Sequence, residues 1–541
     1  MQSRNLRASA LALLCLVCAC AGATCDGAKP GAPQEVAAVK APRADLRLLI
    51  TTDPRGYLEP CGCQLRPLGG LDKLATLVAE ARGDGVPTLL VAAGNTAFGT
   101  ELRPEDAEGA RDQERFRAET FADVYRRLGF RAVGPGPIDL AQDRALVAAV
   151  SGDGQVPWLL DNGTPKGDGA PPIAQARVVD AGGVKVGLLG LSAPNPAHPA
   201  SFAALSDDLA RVASEKSEAL RKEGAQLVVA LVSGDRRLAR QIAGRGADVV
   251  VMGGLDLEKP LAPAMAGDGV LLHAGQQGQY LLSVDLGLKA RGPWEDASEW
   301  TRREARKELE RQLAEQKERI ASWEKDPNVE RRDLDEQRAR LGELERALAS
   351  APTPRFAQRW LVANLKEIGP EVKAEPTIAG LIDAHDKRVN EHNRTALADL
   401  KPTPAEAGKP HYAGSASCAS CHAQADAWWK QTKHGNAYAT LEEVHKEFNL
   451  SCVGCHVTGY NLPGGSTVTH VETLKNVGCE SCHGPGSAHN ERPNEPGLIM
   501  RDVGENVCTG CHTHEHSDHF VYNSYKAMLI VPGHGLPSDR K

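Results

Sequence analysis

The chain has 541 residues, more than a single hydrophobic core usually organises, so its length implies roughly two to four domains. A hydrophobic content of 41% and a charged content of 25% exclude disorder on a large scale. The net charge of -7, from 63 basic and 70 acidic side chains with no basic stripe interleaved with aromatics, argues against a nucleic-acid partner.

In chain order, the first residues read as an export signal. Arg4 and Arg7 supply its positive region, and Leu6 to Val17 supply an apolar run too short to span a bilayer. The run ends Val17-Cys18-Ala19-Cys20, which is similar to a bacterial lipobox, where a small residue precedes the cysteine that is lipidated after cleavage. Cys20 is the better candidate, because Val17 before Cys18 is bulky; an ordinary secretory signal cleaved near Ala21 or Ala23 is the alternative. The expectation is a signal peptide over 1–20 and a lipoprotein of the bacterial cell envelope, periplasmic or attached to the outer membrane. No later segment is apolar enough for a transmembrane helix, so a lipid would be the anchor. Residues 21–44, with much Ala, Gly and Pro, suit a flexible linker.

Over 45–290, short β-rich apolar runs alternate with amphipathic stretches, which predicts an α/β layered domain. Leu46 to Thr51, Thr88 to Ala92, Val184 to Leu191, Leu227 to Val232 and Val249 to Met252 read as strands, and Leu71 to Arg82, Arg115 to Leu128 and Asp207 to Lys222 as helices. Residues 297–350 are dense in Glu, Arg, Lys, Leu and Ala. Leu309, Leu313, Gln316, Ile320 and Trp323 recur at four-three spacing, as do Leu341, Leu344 and Leu348 further on. Pro327 separates the two seams, so a helical hairpin is predicted, serving either as an arm or as surface helices packed on the first domain. A helical segment and linker are expected over 351–410, and a mostly α/coil domain over 411–541.

Cysteine usage carries most of the chemistry. Of 14 cysteines, eight follow residue 411 as the pairs Cys418/Cys421, Cys452/Cys455, Cys479/Cys482 and Cys508/Cys511. Each pair is followed at once by a histidine: His422, His456, His483 and His512. Cys-x-x-Cys-His is the haem c attachment motif, in which two thiols add to the porphyrin vinyl groups and the next imidazole ligates iron. A zinc ribbon does not require histidine after each second cysteine, and a disulfide framework does not require it once. The expectation is four covalent haems. Nine further histidines lie in this region, at 411, 434, 445, 470, 489, 514, 516, 519 and 534, against four in the preceding 410 residues. That enrichment implies bis-histidine iron at several haems, a state suited to passing electrons.

Tyr412-Ala413-Gly414-Ser415, Trp428 and Trp429 before Lys433-His434, and Cys479-Glu480-Ser481-Cys482-His483-Gly484-Pro485-Gly486-Ser487 before His489 resemble the cytochrome c554 family of tetrahaem proteins over most of 411–541. The resemblance implies distal iron ligands at His434 and His489. His534 is the third candidate, and the fourth is open between His445, His470 and His516. The family can also leave one haem five-coordinate, which keeps small-molecule chemistry at one iron as an alternative.

The first domain resembles the calcineurin-like metallophosphoesterases of the periplasmic 5'-nucleotidase type. The landmarks are Asp53 to Cys63, Gly69-Gly70-Leu71, Gly94-Asn95, Gly134 to Asp139 and Gly253-Gly254-Leu255-Asp256-Leu257. In that family they carry a two-metal site. Here Asp53 matches the first aspartate, but Arg55 stands in place of histidine and Asn95 in place of the bridging aspartate. Pro137-Ile138, Ser233-Gly234 and Gly254-Leu255-Asp256-Leu257 likewise replace positions where the family has histidines. An arginine, an amide and one carboxylate cannot hold two divalent cations, so a degenerate domain without hydrolase activity is expected, with a surviving phosphoesterase as the alternative. Cys61 and Cys63, one glycine apart, are read either as loop thiols or as a metal or redox pair, since a disulfide at that spacing is strained.

The function these features imply is electron transfer by an exported multihaem cytochrome between a redox donor and a redox acceptor of the envelope. Residues 411–541 carry nine Lys and Arg against thirteen Asp and Glu, so docking by charge favours a basic partner.

Overall fold

The computed structural model describes residues 41–531, apart from 61–64, 101–108, 153, 166–172, 195–204, 256, 258, 290, 351–355, 357–358 and 514–515. The signal peptide, the lipidation candidate Cys20, most of the 21–44 linker, the Cys61/Cys63 pair, Asp256 and His534 lie outside the described residues.

The elements follow in the order β1 (Leu46–Thr52), α1 (Leu71–Arg82), β2 (Thr88–Gly94), α2 (Ala110–Leu128), β3 (Phe130–Pro135), α3 (Pro137–Ala141) and α4 (Arg144–Val150). Next come β4 (Arg177–Ala181), β5 (Val184–Ser192), α5 (Leu209–Lys222), β6 (Leu227–Ser233), α6 (Arg236–Ala243) and β7 (Val249–Gly253). Then β8 (Leu261–Ala266), β9 (Gly269–His273), β10 (Tyr280–Leu288), β11 (Glu295–Asp296), α7 (Glu299–Trp323), α8 (Arg331–Ala349), β12 (Arg359–Glu367) and α9 (Pro376–Ala396) complete this part.

The strands make two six-stranded mixed sheets, in the orders β11-β12-β10-β1-β2-β3 and β4-β5-β6-β7-β9-β8. Alternation along each strand decides what the sheets face. Leu227, Val229 and Leu231 of β6 join Leu46, Leu48 and Ile50 of β1 in a core between the sheets. Val228, Ala230 and Val232 point the other way, onto α5 and α6. On the far side of the first sheet, Leu49 and Leu90 meet α1, α2 and α9 through Leu74, Phe121 and Ile378. The result is four layers, helix, sheet, sheet and helix, with strands buried on both faces and therefore almost continuously apolar. Helix starts are set locally: Asp143, Asp208 and Asp235 accept backbone N–H groups in the first turns of α4, α5 and α6.

The sheet does not stop at residue 290. Strand β12 falls in the stretch expected as helix and linker, yet pairs antiparallel with β10 from Tyr280↔Glu367 to Leu288↔Arg359. It completes the first sheet only after the chain has run out and back through the hairpin. Helices α7 and α8 of that hairpin pack on one another, burying Gln316 and Ile320, while α8 buries no side chain. Gln316 Nε2 reaches the Gln337 carbonyl and Oε1, each at 2.9 Å. The base is anchored by Trp300 against the inter-sheet core.

From residue 411 the chain changes character. Its elements are short: helices at Ser415–Cys418, Ala423–Trp429, Ala437–Glu442, Cys479–His483, Ser487–Glu491, Glu505–Cys508 and Tyr522–Met528, with 3-10 turns at His434–Asn436, Val453–Cys455 and Glu472–Leu474. Leu397, Tyr438, Val453, Val457, Val468 and Val471 form the apolar cluster here. This tail and the α/β part belong to one compact unit running from Ala41. Among the described residues, no helix is long and apolar enough to cross a membrane.

Candidate functional site

Each Cys-x-x-Cys-His sequence folds as a helical turn. His422 N donates to Cys418 O at 2.9 Å, His456 N to Val453 O at 2.9 Å, and His512 N to Cys508 O at 2.9 Å. The third motif is a helix over its whole length, Cys479–His483. The rings are held as well. Nδ1 lies 2.5 Å from Ala437 O in His456, 2.6 Å from Met500 O in His483 and 3.0 Å from Ser517 Oγ in His512. Donation of Nδ1–H to such acceptors leaves Nε2 as the lone-pair nitrogen, the arrangement a metal-binding histidine needs.

Two imidazole pairs lie close, one with its ring planes 27° apart and the other near edge-on at 68°. His422 and His489 have ring centroids 6.5 Å apart, and His434 and His512 are 6.0 Å apart. Two imidazoles bonded to one metal ion at roughly 2 Å each put their centroids on the order of 6 Å apart. Both distances fit one iron between two rings. Burial and the neighbouring His512 lower the pKa of His434, and burial lowers that of His512, so both favour the neutral form that ligates. Trp429 stacks on His434 at 5.6 Å and is fixed by its Nε1–H to Val477 O at 2.9 Å. Of the remaining candidates, His516 lies beside Cys455, His470 holds its Nδ1 3.1 Å from Thr469 Oγ1, and His445 is exposed.

The four turns converge. Cys418 and Cys479 are within hydrogen-bonding reach of one another, as are Cys455 and Cys511, and Cys482 lies close to Cys508. All eight thiols are free of disulfides. They are not equally enclosed. Cys421, predicted as a cofactor-binding residue on sequence grounds, is exposed rather than set in a protein pocket, and so is Cys511, whereas the other six thiols are half-buried. The reason is local: Cys421 sits on the turn between helices Ser415–Cys418 and Ala423–Trp429, neither of which buries a side chain, and its sulfur accepts from the adjacent Ser420 hydroxyl at 3.8 Å. Among the described residues nothing covers Cys421, and its assignment as an attachment thiol stands on the motif spacing instead of on burial.

Inside the third motif Glu480 is 2% exposed, and its carboxylate accepts from Ala413 N (2.8 Å), Gly414 N (2.7 Å) and Gly486 N (2.6 Å). One side chain thereby ties the start of the tail to the third attachment turn and to the turn before His489.

The donor set and the packing both fit haem c. Helices Ser415–Cys418, Ala423–Trp429, Glu505–Cys508 and Tyr522–Met528 bury no side chain of their own. A region this long with so little apolar core needs a further stabilising element, and four large covalent macrocycles against these turns would supply one.

The landmarks of the α/β part also meet, at the carboxyl ends of β1, β2, β3 and β7, but the space between them is filled by backbone. Asp53 is fully buried; its Oδ1 accepts from Asn95 N at 2.8 Å, and Gly254 N lies 2.9 Å from both oxygens. Asn95 Oδ1 accepts from Ile138 N at 2.9 Å. Asp139 takes Thr96 N at 2.7 Å, Ala97 N at 3.1 Å and Gly136 N at 3.2 Å. Asp53 (φ 45°), Arg55 (φ 52°) and Gln277 (φ 58°) adopt the left-handed conformation, and Gln277 N donates to Asp53 O at 2.7 Å. The bent backbone aims its amides inward, and a side chain at Gly94 would run into the Asp53 carboxylate. Burial pushes Asp53 up to about 6 and Asp139 up to about 7, so both are poorer cation ligands than ordinary carboxylates. The sequence reading missed His273, at the end of β9, fully buried with Nδ1 3.0 Å from Met252 O. It also missed the polar contacts between α2, α9 and the tail; isolated amides in a helix carry no signal of what they face.

A tail of short helices with four Cys-x-x-Cys-His turns, two close imidazole pairs and little apolar core defines a c-type cytochrome domain. The family model described as cytochrome c554 and c-prime matches residues 417–484, and this part of the chain is a cytochrome c554 domain. The chain is 36% identical over 107 residues to "Cytochrome c-554" of Nitrosomonas europaea, a match covering 17% of this chain and 46%, just under half, of that relative. Among solved structures it is similar to a 5'-nucleotidase precursor from Thermus thermophilus, with 16% identity and a TM-score of 0.43, over 67% of this chain and 61% of that one. It is similar also to the calcineurin-like phosphoesterase YfkN from Bacillus subtilis, with 15% identity and a TM-score of 0.43, over 65% of this chain and 99% of that one. At this level the structural likenesses carry nothing about activity.

Proposed function

We propose that the protein is an exported electron carrier with four covalent haems, attached at Cys418/Cys421, Cys452/Cys455, Cys479/Cys482 and Cys508/Cys511. His422, His456, His483 and His512 are the proximal ligands of this reading, with His489 opposite His422 and His434 opposite His512. The observation that carries it is the pair of imidazole–imidazole distances, 6.5 and 6.0 Å. Bound there, haem c supplies an iron couple that takes up and gives away single electrons. The protein's own part is to hold two neutral imidazoles on one iron, leaving no vacancy for substrate at that iron, and to keep the four turns adjacent. His534 is retained as a third distal candidate.

In the same reading the α/β part is no longer a hydrolase, because backbone amides take up the oxygens of Asp53 and Asp139 where a metal site would need them. The location proposed is the bacterial envelope, periplasmic or tethered to the outer membrane through lipidated Cys20, and the partners are a redox donor and an acceptor.

Haem quantitation by mass on the mature chain from a host competent in cytochrome c maturation, together with a spin-state spectrum, tests the proposal. Four haems per chain with a low-spin majority are expected. A colourless product with the mass of bare polypeptide rules it out.

A further inference from the structure

The α/β part reaches into the tail at one attachment turn. Gln113, on α2, is 2% exposed, and its whole amide is spent on residues of the tail and of α9. Its Nε2 donates to Asn449 Oδ1 and to Ser451 Oγ, each at 3.2 Å. Its Oε1 accepts from Leu450 N and from Asn393 Nδ2 of α9, each at 3.0 Å. Asn393, with no exposed surface, also donates from Nδ2 to Phe448 O at 2.9 Å.

Asn449 passes the restraint on. Its Oδ1 also accepts from Ser451 N at 2.9 Å, and its carbonyl accepts from Cys452 N and Val453 N, each at 3.0 Å. Those two residues open the Cys452–His456 turn. Just upstream, Lys446 is paired with Glu59 and with Asp386 of α9, the latter at 3.4 Å. Other attachment turns have anchors within the tail itself, such as Ser415 Oγ accepting from Cys479 N at 3.1 Å.

A greasy contact would hold two parts together without regard to direction. Buried amides are different: they are tolerated only when their partners are met in angle and distance, so they fix one orientation. We infer that Gln113 is a positioning residue for the second haem, setting the orientation of the Cys452–His456 turn from outside the cytochrome domain. The α/β part, on this view, works as a rigid mount for one haem of the four. The inference rests on the proposed attachment of haem at Cys452 and Cys455.

The test uses the full chain from a host that attaches haem c. In Gln113→Ala, haem per chain stays at the wild-type value, while one resolved redox transition and one set of low-temperature spectral features move and the others stay in place, since ligand orientation and haem exposure set the potential. Ser451→Ala removes one acceptor from the tail side and moves the same transition by less; it serves where Gln113→Ala does not fold. Amide exchange at Cys452 and Val453 is expected to quicken about tenfold in Gln113→Ala, the effect of a lost buried hydrogen bond on local opening. A thermal midpoint that falls with every transition unmoved would make Gln113 merely structural and overturn the inference, as would all transitions moving together. A wild-type chain without haem at the second motif removes the function reading instead, and the exchange rates then still decide whether the clamp exists.

Discussion

At the scale of single residues, burial decides which titratable groups keep their ordinary behaviour. His385 on α9 is packed against α2, with Nδ1 3.2 Å from Thr120 Oγ1. Burial, with Arg117 and Lys446 nearby, pushes its pKa from 6.5 down to about 4. Between those values the unfolded chain binds a proton that the folded chain refuses, so stability is lost as pH falls through that window. The loss is at most about 3 kcal/mol. Thermal midpoints at pH 7 and pH 5 should therefore fall further apart in the wild type than in His385→Gln, and equal differences would show that His385 binds its proton equally well in the folded and the unfolded chain. Glu480 shows the opposite use of a buried charge. Three backbone N–H groups converge on it, so this carboxylate is a structural node placed inside a chemical motif.

At the scale of elements, the hairpin and β12 are one problem. The hairpin leaves the first sheet after β11 and returns to it as β12, with α7 and α8 covering mainly each other. An insertion of this form contributes little to the core that surrounds it. Replacing residues 304–350 by a short Gly/Ser linker is expected to leave haem content unchanged and to shift the thermal midpoint by only a few degrees, about 1 kcal/mol or less. Loss of soluble folded protein, or a collapse of the β10–β12 pairing seen in amide exchange, would show that the hairpin supports the sheet. The hairpin was legible because its seam repeats at four-three spacing and Pro327 interrupts it. Strand β12 was not, because nine residues of mixed polarity, far along the chain from their partners, do not declare which sheet they enter.

At the scale of the whole molecule, the two halves are held by different means. Residues 45–396 have three large apolar cores between and outside their sheets, with smaller clusters at Leu140, Val147 and Leu160 and around Trp360. The tail leans on one small cluster, on its attachment turns and on the amide contacts with α2 and α9. If haem c is bound as proposed, chain made without it should keep slow amide exchange in β1, β5, β6 and β7 while exchange across 411–531 becomes fast, because the macrocycles would replace the core that the tail lacks. Equal protection of both halves in haem-free chain would show that the tail folds on its own.

The sequence by itself determined where the Cys-x-x-Cys-His motifs lie and so the attachment chemistry proposed for them. Thioether formation and iron ligation need particular atoms at fixed spacing along one helical turn, and four such turns are written in consecutive residues. It also determined the layered character of the first half, since burial on both faces of a sheet demands unbroken apolar runs. Only the tertiary structure decided which imidazoles lie together, which thiols lie open as Cys421 does, that amides fill the carboxyl edge at Asp53 and Asp139, and that Gln113 meets Asn449 across 336 positions of chain. Those are relations between distant residues, and they depend on directions in space that a linear pattern of polarity does not encode.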